Sequence, residues 1–220
     1  MTTANQAQLD VTDMVAVHRV FRDVFGAAPA LVGGVTDGDA DRRALIANFY
    51  DNILKFLHVH HAGEDELVFP LLRERCAAQR DLVDRVAGQH RDVDDLLATA
   101  ERGVAGWAGG GPTTAAEAST ALVALGAKLT EHLDAEEQEL LPLCAANLSE
   151  AEWGALPGHG MQHFEGDKIW LILGLIRQRF TQEQRDHMLA HMPPPAVEMW
   201  TGFGENAFNE LIAEVGPPLS

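Results

Sequence analysis

Residues 60–70 read His-His-Ala-Gly-Glu-Asp-Glu-Leu-Val-Phe-Pro, and residues 132–142 read His-Leu-Asp-Ala-Glu-Glu-Gln-Glu-Leu-Leu-Pro. In both, a glutamate follows the leading histidine by four residues, and a proline follows the glutamate by six. The match extends outward at the same displacement of 72 residues. His18 falls on His90, each followed by an arginine (Arg19, Arg91). Asp65 falls on Glu137, Pro70 on Pro142 and Leu71 on Leu143. Chance matching in a helix-rich chain would pair Ala and Leu. These pairs are His, Glu and Pro, so the pattern reads as an internal duplication.

The hydrophobic period around these motifs is helical. Val11, Met14, Val15, Val17, Val20, Phe21, Val24 and Phe25 follow the i, i+3, i+4, i+7 template, giving a first helix over 9–25 that Gly26 stops. Residues 26–38, with Pro29, Gly33, Gly34 and Gly38, read as a loop. A second helix spans about 39–76, with a kink or late break expected at Pro70. A third spans about 81–107 and ends at Gly109, Gly110, Gly111 and Pro112. A fourth runs to about 146, opened by the capping-box pair Thr114 and Glu117, with Pro142 inside it. Ser149 with Glu152 is another such pair. Further helices are expected over 161–180 and 181–191, with short pieces after Pro193–Pro195. No segment alternates as a strand does. The fold expected is all-α: an up-down-up-down four-helix bundle over 1–148, with a C-terminal helical extension over 149–220 packed on it.

Composition narrows the function. The 220 residues carry 16 Lys and Arg against 33 Asp and Glu, a formal charge of −17. That argues against nucleic acid, which needs clustered cations, and against an anionic membrane surface. The longest purely apolar run, Ile169–Leu175, is far short of the roughly 20 residues that span a bilayer. Residues 1–8 lack the basic and apolar regions of a signal peptide. Two cysteines, Cys76 and Cys144, make no disulfide framework and read as buried small apolar residues. The expected location is the cytoplasm.

Ten histidines against one tyrosine decide the chemistry. Residues four apart on a helix share a face, so His60 with Glu64, and His132 with Glu136, each present an imidazole beside a carboxylate. His18 and His90 add one imidazole each. Pointed at the bundle centre, the six form a four-histidine, two-carboxylate cluster that suits iron, and also zinc, copper or manganese. Two opposed carboxylates can bridge two ions, each ion receiving two imidazoles. Without metal, such a cluster is costly to bury. A mononuclear or zinc site is a further possibility. A ferritin-like site needs Glu-x-x-His from two helices, and no Glu-x-x-His occurs in the chain.

In His18, the 60–70 segment, His90 and the 132–142 segment, residues 9–147 resemble the hemerythrin family, in its HHE cation-binding branch. The resemblance implies a four-helix bundle around two iron ions, bridged by carboxylates and an oxo or hydroxo group. His18 and His60 would serve one iron, His90 and His132 the other, and Glu64 and Glu136 would bridge. It also implies O2, peroxide or nitric oxide as small ligand, in a protein that is a monomer or homodimer. Three functions fit: a binder of oxygen or a related oxidant, a catalase-like or NO-consuming enzyme, and an iron-dependent sensing or storage protein acting through a protein partner.

The sequence departs from the oxygen-carrying hemerythrins, whose third helix carries a His-x-x-x-His pair. Here Asp94 stands four after His90 and Val86 four before it, and the fourth-helix carboxylate is Glu136. The asymmetric three-plus-two histidine set is therefore not evident. His61 is the candidate extra ligand, with a hydrogen-bonded boundary imidazole as its alternative. Asp94 and His163 are weaker candidates. Glu137, Asp65 and Glu66 are expected to be solvated or to orient imidazoles. The pairs His159/His163 and His187/His191 read as surface or packing residues. The run Pro157-Gly158-His159-Gly160 is expected outside regular helix. Met161, Phe164, Ile169, Trp170, Leu173 and Ile176 form an apolar packing face, and Trp200, Phe203 and Phe208 pack the tail or form a dimer contact.

Overall fold

A computed structural model describes residues 8–36, 38–110 and 113–219. Gly111 and Pro112, expected to end the third helix, lie outside the described residues, as do residues 1–7. Among the described residues there is no strand, and the fold is an all-α bundle.

Four rods form the bundle. Helix α1 (Thr12–Gly26) is the first. The second is α3 (Ala40–Gly63), a π-turn at Glu64–Val68, and α4 (Phe69–Arg75). The third is α5 (Arg80–Ala108). The fourth is α6 (Ala115–Ala135), a π-turn at Glu136–Leu140, and α7 (Leu141–Asn147). The expected loop after Gly26 contains a one-and-a-half-turn helix, α2 (Ala28–Gly33), with Pro29 in its first turn, where its missing N–H costs nothing. Helix α1 begins at Thr12 rather than Leu9, and Leu9 donates its N–H to Ala145 O. Both expected capping boxes are present, Thr114 with Glu117 and Ser149 with Glu152.

The two prolines do not break their helices. Just before each, the ladder widens by one residue: Phe69 N–H donates to Glu64 O, and Leu141 N–H to Glu136 O. A proline clashes with the carbonyl four residues back, and an i→i+5 turn opens the ladder at that place. The widened turns begin at the two glutamates of the duplicated motif.

Beyond the bundle come α8 (Glu150–Trp153), α9 (Ala155–His163), α10 (Ile169–Arg179), α11 (Gln182–His191), α12 (Pro194–Met199), a π-turn at Trp200–Gly204, and α13 (Glu205–Val215). Two expectations are corrected here. Residues 155–163 are helical despite Pro157, which occupies the first turn and has no intrahelical bond to lose. The stretch 161–180 is not one helix; it breaks at 164–168, where Asn52 of α3 accepts the Lys168 N–H and donates to Asp167. The extension shares the bundle's core. Leu171, Leu175, Phe208 and Val215 pack in one cluster with Phe21, Phe49, Leu57 and Leu129. Trp200 and Phe208 are buried, whereas Phe203 is 54% exposed and packs nothing back.

The core is two apolar clusters with a polar layer between. The larger holds Val20, Leu57, Val93 and Leu133 from the four rods. The smaller holds Met14, Val68, Val86 and Leu140 from the same rods, together with the buried thiols Cys76 and Cys144. Each rod crosses from one cluster to the other, and each carries its histidines and glutamates between them.

Candidate metal centre

The six residues of the duplicated motif meet in that layer. His18, Glu64, His90, His132 and Glu136 are buried, and the side chain of His60 is 6% exposed. Each glutamate presents one oxygen to each half of the cluster. Glu64 Oε1 lies 3.6 Å from His60 Nε2, and its Oε2 lies 3.5 Å from His90 Nε2. Glu136 Oε2 lies 3.5 Å from His18 Nε2, and its Oε1 lies 3.4 Å from His132 Nε2. Two groups of possible donors result: His18, His60, Glu64 and Glu136 on one side, and His61, Glu64, His90 and His132 on the other. Within each group the donor atoms lie within 4.8 Å of one another.

The outer nitrogens of three imidazoles are held by acceptors. His18 Nδ1 is 2.9 Å from Glu137 Oε1, His90 Nδ1 is 3.1 Å from Asp65 Oδ1, and His132 Nδ1 is 3.1 Å from Gln89 Oε1. A carboxylate can only accept, so Nδ1 of His18 and of His90 carries the proton. Their Nε2 atoms then face the cluster. The duplication governs this shell too. The residue after each glutamate, Asp65 or Glu137, reaches the histidine of the other repeat. Arg22 backs Glu137 at 2.6 Å and also reaches Asp134 at 2.7 Å.

His61 is the seventh member. It is 3% exposed, and neither ring nitrogen has a hydrogen-bond partner. Its ring stacks on His90 and meets His132 edge-on at 5.2 Å. The alternative of a boundary imidazole bonded to a carboxylate is not realised. Between the two groups of possible donors the histidines fall two and three, the third coming from the residue next to His60 rather than from α5. The duplication places Leu133, fully buried, where a matching histidine would stand.

Other expected residues lie elsewhere. Asp94 is exposed on α5. His163 is exposed on α9, its ring 4.5 Å from that of His159. Glu66 orients none of the cluster's imidazoles; it pairs with His159 Nε2 at 3.2 Å. Gln89, Arg22 and Asn52 were not singled out from sequence. Nothing in their spacing marks them, because each acts across a helix crossing.

The electrostatics describe a cluster short of positive charge. Burial pushes His60 down to about 3 and His132 to about 2, and holds His61 well below the usual imidazole range. Burial, with Glu64 alongside, raises Glu136 well above the usual carboxylate range. Burial opposes the charge on Glu64 as well, but His60 and His90 hold it below its ordinary value. His90 is the exception among the imidazoles: burial works against its charge, yet Asp65 and Glu64 lift it to about 10. Four Nε2 atoms, both nitrogens of His61 and three carboxylate oxygens are buried without hydrogen-bond partners. Buried orphans of this kind cost about 1–3 kcal/mol each. A pair of cations takes up the four Nε2 atoms, one nitrogen of His61 and the three carboxylate oxygens, so the donor set fits metal ions.

Residues 9–144 match a family model described as the hemerythrin HHE cation binding domain. No curated protein and no solved structure gave a match. None of the described helices is long and apolar enough to cross a membrane.

Proposed function

The chain belongs to the hemerythrin HHE cation-binding domain family, and from that premise we propose a di-iron protein that binds O2 or a related small oxidant. The observation that supports this most is the set of orphaned donors in which Glu64 and Glu136 each face both halves. His18 and His60 would hold one iron, His90, His132 and His61 the other, with both glutamates shared. Mixed imidazole and carboxylate donors suit iron. When bound, the iron pair supplies reversible electron transfer to and from oxygen species. The protein's own part is to hold the imidazole tautomers through Glu137, Asp65 and Gln89, and to exclude bulk water. With side chains 0–6% exposed, the layer admits only a small ligand.

The two-and-three histidine division leaves the half with fewer histidines more room for an external ligand, as binding of a small oxidant requires. A catalase-like or NO-consuming activity of the same centre is the second reading, favoured by Arg22 and Glu137, which offer a charged route from solvent to His18. We place the protein in the cytoplasm and assign residues 149–220 the role of covering the bundle. The first experiment is metal content and a visible spectrum of protein purified in air without added metal. About two irons per chain with oxygen-sensitive absorption supports the reading. One metal, zinc or none overturns it. Gas evolution on adding peroxide, lost in His60→Ala, separates the enzyme from the binder.

A further inference from the structure

Helix α11 (Gln182–His191) lies outside the buried centre and carries a second arrangement of metal-ligating groups. His187 and His191, four residues apart, are both exposed, and their rings stack with centroids 4.0 Å apart and planes 25° from parallel. His191 Nδ1 lies 2.8 Å from the backbone carbonyl of His187. A carbonyl only accepts, so this contact puts the proton on Nδ1 and leaves the Nε2 lone pair of His191 outward. A ligating histidine is commonly set in this way, its far nitrogen donating to a backbone carbonyl or carboxylate. Glu183, exposed one turn earlier on the same face, adds negative charge. No buried apolar partner explains two stacked imidazoles at this place. Both residues are exposed rather than part of the core.

We propose that His187 and His191 form a solvent-facing chelate for a late first-row divalent cation, separate from the buried centre. Two imidazoles at helical i, i+4 spacing suit Cu2+ first, then Ni2+ and Zn2+, by ligand type and by the order of intrinsic affinities. Because the site is on the surface, water completes the coordination. Binding there does not require the bundle to open.

The test is Cu2+ titration of full-length protein with its buried centre already loaded, followed by calorimetry and electron paramagnetic resonance. The expected result is one further Cu2+ per chain, with hyperfine structure from two imidazole nitrogens. Each of His187→Ala and His191→Ala should weaken it by at least ~10-fold, by analogy with the loss seen when even an outer partner of a metal ligand is removed. The absorption of the buried centre should stay unchanged. His163→Ala serves as the control and should leave the further equivalent in place. No further equivalent, or equal binding by wild type and both alanine variants, overturns the proposal. Since both side chains are exposed, circular dichroism should be the same for all four proteins. If either variant loses helicity, His187→Gln, which retains polarity and helix-compatible shape, gives the deciding comparison.

Discussion

The ring of His61 stacks on that of His90 with centroids 4.1 Å apart and planes 14° from parallel. Nothing in the other repeat mirrors this contact, because Leu133 stands at the matching place. His61 therefore makes the set of possible metal donors asymmetric between the two repeats. His61→Leu should leave two histidines in each half of the donor set. We expect a folded protein whose metal content falls below two per chain, with affinity at the His90 and His132 half lowered by about 10–100-fold or more. The removal of two buried unpartnered nitrogens should leave the metal-free protein as stable as wild type or more so. Metal analysis after dialysis against a graded chelator reads the first effect, and thermal melts of metal-free protein read the second.

The shell that holds the imidazoles should matter nearly as much as the ligands. Glu137 is itself pulled down to about 2: burial opposes its charge, and hydrogen bonds from His18 and Arg22 overcome it. Glu137→Gln keeps an acceptor but loses the charge that favours a strongly basic Nε2 on His18. Its expected effect is a ~10-fold loss of metal affinity on the His18 side alone. Asp65→Asn should do the same on the His90 side, and the double variant should show the sum, since the two act on different halves. Competition with a coloured chelator measures each.

Much of this arrangement was legible in the sequence, for a physical reason. The duplicated residues are types that helices and cores do not select, so His18, His60, Glu64, His90, His132 and Glu136 stood out against the Ala- and Leu-rich background. The apolar period gave the four rods. What could not be read follows from geometry. Pro70 and Pro142 signal a local defect, but the sequence does not say that a widened turn relieves it. His61 has no repeat partner, so the duplication is silent about it. Gln89 and Asn52 act across crossings whose register exists only once the rods are packed. In α9, Pro157 and two glycines outweigh the period, although a proline in a first helical turn costs little.

Removing the metals should destabilise the whole bundle. Both glutamates and five imidazoles lie between two apolar clusters, and a cation pair is what satisfies them. A ligand held at 100 times its dissociation constant stabilises by about 2.7 kcal/mol. A strong chelator should therefore lower the unfolding midpoint by several degrees or more, and re-addition of iron should restore it. Equal melting of metal-loaded and chelated protein would count against a centre that binds metal in the folded state.

Within the extension, the packing of α13 on α10 depends on a glycine at a close approach. A Cβ at Gly174 in α10 would come within 2.2 Å of the Phe208 ring of α13. Gly174→Ala should force that ring out, at a cost of about 1–3 kcal/mol from overpacking. Phe208→Ala removes the ring instead and should cost about 3–5 kcal/mol. In the double variant the costs should not add, because the alanine at 174 then occupies space the ring has left. Chemical denaturation of the four proteins closes this cycle.

Asp13 supplies a pH dependence whose sign can be stated. Its carboxylate accepts from the Trp153 indole at 3.1 Å, joining α1 to α8. Burial raises its pKa more than the hydrogen bonds from Trp153 and from Met14 N–H lower it, and Asp10 nearby adds to the rise. A carboxyl raised above its unfolded value binds its proton more tightly in the folded state. Folding is then favoured where the group is neutral, and this contribution is lost as pH rises through the folded pKa. Asp13→Asn keeps an acceptor for the indole without the charge. At pH 7 it should melt higher than wild type, and the gap should shrink toward zero as pH falls to where wild-type Asp13 is itself protonated. Asp13→Ala leaves the indole N–H unpartnered and should lose about 1–3 kcal/mol at every pH. Tryptophan fluorescence melts of the three proteins between pH 4 and 8 distinguish these outcomes. A gap between wild type and Asp13→Asn that stays constant with pH would mean that the Asp13 charge plays no part in docking α8.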